Sequence, residues 1–267
     1  MTAEAAPRRA WVEQVMGMPV SIHLRGRLGS SADAEGRVEA AYDELRAVDV
    51  LFSPYREDSQ VCRIDRGELA VRDAHPLVAE VVELARTARV LTGGSFDAWR
   101  PGGDGLTHFD PTGLVKGWAV QRAAEHLAAG LGCDVSVTAG GDIALRPGLD
   151  PGPWRIGIED PRDPARVLAV VPVLSGGVAT SGTAHRGRHL VDPATGRAAG
   201  DELLSVTVVG PSLIWADVLA TAAFVRGAAG LDLVESVVGY EALVVDPDGY
   251  RTTSGLTPQT RTTDMSA

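Results

Sequence analysis

The sequence is short of lysine. Lys116 stands alone among 25 basic residues, and every other one is arginine. Cysteine is scarce too: Cys62 and Cys133 lie far apart, with no CxxC and no ladder of spacings, which excludes a disulfide scaffold and leaves two reduced thiols. Positive charge is in deficit, with a formal net charge of −10, and this argues against nucleic acid or an anionic membrane surface as a partner. No window approaches the roughly eighteen consecutive apolar residues of a membrane-crossing helix. MTAEAAPRRAW has no apolar run behind its arginines, so neither a signal peptide nor membrane insertion is expected, and the cytoplasm is the default location. GxxxxGK[ST], GxGxxG and GxSxG are all absent, and Lys116-Gly117 has the reverse order of a P-loop.

What is present is an ordinary globular composition, 45% hydrophobic and 22% charged, that excludes wholesale disorder. Residues 11–25 are β-rich but broken at Met16-Gly17-Met18-Pro19, which predicts two short strands around a bend or bulge. Val38, Ala41, Tyr42, Leu45, Val48 and Phe52 form one helical stripe, stopped by Ser53-Pro54. A second helix opens at Pro76 and closes at Thr92-Gly93-Gly94; a third follows Lys116 and ends at Gly130; a last one begins near Ala216. Strands are expected in CDVSVTAGGDIALR, WRIGIED, RVLAVVPVL, LLSVTVVG and EALVVD. Clustered strands with a few helices predict an α+β fold rather than strict β-α alternation. The expected organisation is a disordered N-terminus over 1–11, one catalytic domain over 12–251 and a flexible tail over 252–267.

Several glycine-rich turns carry a polar residue at their edge: Gly94-Ser95-Phe96-Asp97, Asp110 to Gly117, Ala139-Gly140-Gly141-Asp142, Thr180-Ser181-Gly182 and His189-Leu190-Val191-Asp192. Glycine there lets backbone amides approach an anion, although a plain turn uses the same residues. Lys116 by itself reads equally as a solvated charge at a helix start or as a compact ammonium facing an anion. Asp217 and Thr221, four apart, put two oxygens on one helical face, which suits a hard cation such as Mg²⁺. The same pair also fits an acid near a helix N-terminus and a hydroxyl bonded back to the chain. His185 and His189 are spaced for a helical metal pair, but a strand-like LVD follows and the spacing loses its geometric meaning.

In order along the chain, MGM, FSPYREDSQVCRID, GSFD, DPTGLVKGWAV, TAGGDIA, PWRIGIEDP, TSG, HLVDPATG and ADVLAT resemble the ApbE-type FAD:protein FMN transferases. The resemblance implies an ApbE-like, T-fold-like architecture: mixed or antiparallel β-sheets with packed helices and a ligand cleft between two intertwined lobes. It also implies a Mg²⁺-dependent enzyme that moves the FMN half of FAD onto a threonine or serine hydroxyl of an acceptor flavoprotein and releases AMP. In family terms Met16, Tyr55, Ser95, Phe96, Asp97, Asp110, Lys116 and Leu190 would contact FAD. Gly113, Asp217, Ala220 and Thr221 would hold the metal, and His189 with Asp217 would serve the transfer step. Other readings of the same pocket are a Mg²⁺-dependent FAD pyrophosphatase and a non-catalytic flavin-binding protein.

Three positions depart from the family pattern. Family members often carry asparagine at Asp65, threonine at Met18 and aspartate at Gln121. A carboxylate added near a bound pyrophosphate repels it unless it faces metal or solvent, so Asp65 is expected to separate transfer from hydrolysis. Many family members are exported lipoproteins; without a leader or lipidated cysteine, the acceptor is expected to be in, or to face, the cytosol.

Overall fold

Alternation of apolar residues builds one large sheet, and helical stripes cover one of its faces. The computed structural model describes residues 7–102, 105–182 and 203–259. The chain opens with β1 (Arg8–Val15) and β2 (Met18–Arg25), an antiparallel hairpin in which Val15 faces Met18. The break in the β pattern is therefore a two-residue loop, not a bulge. Met16 has φ 55° and Gly17 φ 72°, as a type I′ turn requires. Pro19 is tolerated because the pairing of β2 with its inner neighbour begins only at Val20. Residues 8–11, expected to be disordered, belong to β1.

Then come α1 (Ala32–Phe52), α2 (Gln60–Asp65) and α3 (Pro76–Leu91). The Ser31 hydroxyl accepts from the Ala34 amide and starts α1 one turn before its apolar stripe. Pro76 is the first residue of α3, as expected, with the His75 imidazole accepting from the Leu77 amide. A small hairpin, β3 (Trp99–Pro101) and β4 (Thr107–Phe109), leads into α4 (Thr112–Ala128). After it run β5 (Asp134–Ala139), β6 (Asp142–Arg146), the ribbon β7 (Trp154–Asp160) and β8 (Asp163–Val173), and β9 (Gly176–Gly182). The described chain resumes with β10 (Ser205–Gly210), α5 (Leu213–Arg226), α6 (Gly230–Glu235), β11 (Glu241–Asp246) and β12 (Gly249–Thr252).

The eight-stranded sheet has the order β1-β2-β5-β6-β9-β10-β11-β12, and every neighbouring pair is antiparallel. The α+β expectation holds, with antiparallel rather than mixed sheets. Successive side chains point to opposite faces, and the packing follows that period. Ala144, Ala179, Ala242 and Val244 join the large core beneath the helices. Their neighbours Leu145, Val178, Leu243 and Val245 join a smaller core beneath the β7–β8 ribbon. The sheet is thus the middle layer, with helices on one side and a two-stranded ribbon on the other.

The helical run from Leu213 to Glu235 is long and apolar enough to cross a membrane by length and composition alone. Here it is a core helix: Leu213, Ala216, Val218, Leu219, Ala222, Ala223 and Phe224 are all buried in the protein itself. At the other end of the chain, residues expected to fray are tied down. Gln259 and Val170 of β8 exchange backbone hydrogen bonds of 2.9 and 3.0 Å, and the Thr253 amide donates to the Ala242 carbonyl at 3.0 Å.

Candidate active site

The sheet splits in its middle. β6 and β9 pair through Ile143–Val178, Ala144–Gly177 and Leu145–Gly176, and beyond Val178 the strand β9 continues to Gly182 with no partner on its β6 side among these pairs. Each half of the sheet has four strands, and a cavity of about 440 Å³ opens at the seam. Its floor is sheet and turn, including Gly140, Gly141, Thr180, Ser181 and Thr207; Ile156, Gly157, Ile158 and Glu159 of β7 roof it. The roof is fixed at its tip, where Asp160 accepts from both the backbone amide and the guanidinium of Arg162. That pairing holds its carboxyl below the usual carboxylate range.

The third wall is helical. Asp110 Oδ1 accepts from the Thr112 amide at 3.0 Å and from its hydroxyl at 2.6 Å, so α4 starts at Thr112, a full turn before Lys116. Thr112, Gly113 and Lys116 then line the cavity from the first two turns of α4. Asp217 and Thr221 line it from one face of α5. Gly117 makes this juxtaposition possible: a Cβ there would lie 3.1 Å from Asp217 Oδ2 and 3.2 Å from the Leu213 carbonyl oxygen. The side chain of Lys116 is 12% exposed and lies between two acids, in contact with Asp142 Oδ2 and 3.8 Å from Asp217 Oδ1. Thr221 Oγ1 is 3.1 Å from Ser181 Oγ, which ties α5 to β9 across the cavity floor.

Gln121, one turn after Gly117, holds the start of α5. Its Oε1 accepts from the Ser212 hydroxyl at 2.8 Å and lies 3.4 Å from the Ile214 amide. Ser212 itself makes no side-chain cap bond, so α4 caps α5 in its place. Gln121→Ala should lower the unfolding free energy by about 1 kcal/mol, read from the urea midpoint; an unchanged midpoint would remove the cap from the account.

A sequence model described as the ApbE family matches residues 16–99 and 104–244. The chain belongs to the ApbE family. A FAD:protein FMN transferase of Vibrio cholerae is 36% identical over 131 residues, which cover 45% of this chain and 39% of that protein. One from Salmonella typhimurium is 31% identical over 136 residues, covering 47% and 39%. Each match thus spans about two-fifths of the relative's length. Among solved structures, the ApbE protein of Thermotoga maritima superposes with a TM-score of 0.78 at 23% identity, covering 93% of this chain and 97% of that one. The flavin transferase ApbE from Vibrio cholerae gives 0.74 at 24%, covering 95% and 97%. These two likenesses establish that the fold is that of ApbE proteins.

Of the residues predicted for an ApbE site, the structure brings Phe96, Asp110, Gly113, Lys116, Asp217 and Thr221 onto one cavity. Ser95 and Asp97 are not on its wall. The Ser95 hydroxyl accepts from Arg226 at 2.8 Å, and Asp97 accepts from the Trp99 amide at 2.9 Å, so both shape the turn that presents Phe96. Ala220 is fully buried in mid-helix, off the wall, where a backbone carbonyl serves the helical ladder. Met16 borders a separate hollow with Gln14, Arg46 and Arg56, and Tyr55 is 95% exposed. Met16 is the one non-glycine residue at positive φ among the described residues, as the tight turn between β1 and β2 requires. His189, Leu190 and His185 lie outside the described residues.

Asp65 is placed differently from expectation. One carboxylate oxygen accepts from the Phe109 amide at 2.6 Å and the other is 3.0 Å from His108 Nδ1. It anchors β4 from α2 and is not among the residues that line the cavity. Sequence reasoning missed Thr207 and Glu159, and it marked Asp142 only as the polar edge of a glycine turn, with no role. The signal for Asp142 was an acid directly after the Gly140-Gly141 turn, the first residue of a strand.

Proposed function

We propose that this chain transfers the FMN half of FAD to a threonine or serine hydroxyl of an acceptor protein, with Mg²⁺ bound and AMP released. The observation that carries the reading is the placing of Lys116 beside Asp217 and Thr221 on one cavity wall, next to the N-terminus of α4. An ammonium and a helix N-terminus favour a phosphate, and a carboxylate with a hydroxyl favours a hard cation. The relatives named FAD:protein FMN transferases support the choice of substrate.

The donor set fits Mg²⁺. Asp217 offers a carboxylate and Thr221 a hydroxyl one helical turn apart, with Gly113 on the same cavity. Mg²⁺ takes few protein oxygens and keeps water and phosphate ligands, so a carboxylate and a hydroxyl suffice from the protein. When bound, Mg²⁺ supplies charge neutralisation at the pyrophosphate.

In the reaction the acceptor hydroxyl oxygen forms a bond to the FMN-side phosphorus. The bridging P–O bond to the AMP half breaks, its electron pair leaves on AMP, and the hydroxyl proton passes to a base or to solvent. Little covalent work falls to the protein, so position and charge decide the rate. Lys116 holds the phosphate oxygens at the seam, the α4 N-terminus adds a partial positive charge, and the β7 roof excludes water. His189 is assigned to proton transfer on the family pattern alone.

The test incubates purified protein with FAD and Mg²⁺, with and without a candidate acceptor, and follows AMP release and acceptor mass. The expected result is acceptor-dependent AMP release with an acceptor gaining the mass of FMN. Equal AMP release without acceptor, and no mass gain, would replace transfer by hydrolysis; no AMP at all would leave a flavin-binding protein.

A further inference from the structure

Among the described residues the Lys116 ammonium has two acidic neighbours, and only one of them has a place in the reaction just proposed. Asp217 is the metal-facing carboxylate. Asp142 is closer to the ammonium, has a side chain with no exposure at all, and is not on the cavity wall. It is the first residue of β6, paired with Ala139 across the two-glycine turn, and its Oδ1 lies 3.4 Å from the Thr180 amide of β9. One carboxylate therefore touches both halves of the sheet and the lysine of α4, at the point where the sheet splits.

We infer that Asp142 is a positioning residue. It anchors the Lys116 ammonium at the seam, where the ammonium can meet a phosphate, and keeps it from closing onto Asp217 and masking the carboxylate that the cation needs. The argument rests on competition for one cation. A buried carboxylate is stable only when paired, and a buried ammonium likewise. If Asp142 loses its charge, the nearest remaining carboxylate for Lys116 among the described residues is Asp217, already 3.8 Å away. A short movement of a flexible lysine stem then takes the ammonium off the phosphate position and onto the metal position. Asp142 thus acts on the substrate through Lys116 without touching it, and the inference rests on the reading of this cavity as a flavin pyrophosphate site.

The test is a double-mutant cycle on Asp142→Asn and Lys116→Met, read in two ways. The first reading is FAD affinity by flavin fluorescence titration. Lys116→Met should weaken FAD binding by about tenfold, the size of one lost charged contact. Asp142→Asn should weaken it comparably, and the double variant should be no weaker than Lys116→Met, because without the ammonium there is nothing for Asp142 to hold. An Asp142→Asn affinity within twofold of the parent protein, or an effect that multiplies in the Lys116→Met background, would overturn the inference. The second reading is the urea midpoint: each single variant should fall, and the double, which no longer buries the Asp142 charge without its ammonium, should rise above Lys116→Met. If Asp142→Asn does not fold, the double variant should still do so, and its failure as well would make Asp142 architectural and refute the positioning role. A parent protein that binds no FAD would instead refute the flavin reading, while the midpoints still report on the pair.

Discussion

On the proposed reaction, Asp217→Ala should lower AMP release from FAD by about a thousandfold, the loss expected when an active-site cation no longer has its charged ligand and several kcal/mol of charge stabilisation go with it. The variant should nevertheless fold. Lys116 keeps its contact with Asp142, so no ammonium is stranded in the wall. The space vacated faces the cavity rather than the core, since Asp217 lines it. The half-saturating Mg²⁺ concentration should rise, and FAD affinity measured without metal should change little. An Asp217→Ala enzyme with the parent's Mg²⁺ dependence would remove Asp217 from the cation site and make the Lys116 contact its main role.

Local features were legible in the sequence because they rest on local chemistry. The stripe from Val38 to Phe52 is buried as the helical period requires. Pro76 begins its helix for the reason sequence gives, a missing donor where none is needed. Helix starts were harder. Lys116 reads as part of a turn until Asp110 is seen capping Thr112, and α5 begins at Leu213, three residues ahead of the expected Ala216, because a helix buried nearly all round shows no stripe. The strain at Met16 was hidden because methionine carries no turn signature, whereas Gly17 does.

The site itself was half legible. Asp217 and Thr221 share a face by spacing alone, and Gly113 and Lys116 share another. What spacing cannot give is the meeting of α4, α5 and β6 at the seam, which depends on strand order in the sheet. Asp142 sits 26 residues beyond Lys116 in the chain and touches it only because β6 ends the first half of the sheet. What Asp65 faces was hidden for the same reason: its partners, His108 and Phe109, come from a hairpin 43 and 44 residues away. The charge of a residue can be read from sequence, but what it faces is a tertiary fact.

Gly177→Ala should cost about 3 kcal/mol, at the upper end of what overpacking a tight contact brings, and lower the melting temperature by roughly 10 °C for a chain of this size. Gly177 lies on β9 directly under the start of α5, and a Cβ there would fall 2.4 Å from Leu213 Cα and 2.6 Å from its N. Backbone atoms on both sides leave no flexible side chain to give way. Normal carbon contacts begin near 3.5 Å, so the helix and the strand must part by about 1 Å. That movement acts on the proposed site, because Ser181 is on the same strand and Thr221 on the same helix, joined at 3.1 Å. Parting by 1 Å takes this pair to about 4 Å, beyond hydrogen-bond range, so the Mg²⁺ requirement should rise together with the fall in melting temperature. Gly36→Ala in α1 is the matched control: nothing lies within 4 Å of a Cβ at that exposed helical position, and the exchange should hold or raise the melting temperature. A Gly177→Ala protein that melts with the Gly36→Ala control would mean that α5 does not rest on β9 at that distance, and the placement of Asp217 and Thr221 against the seam would have to be withdrawn with it.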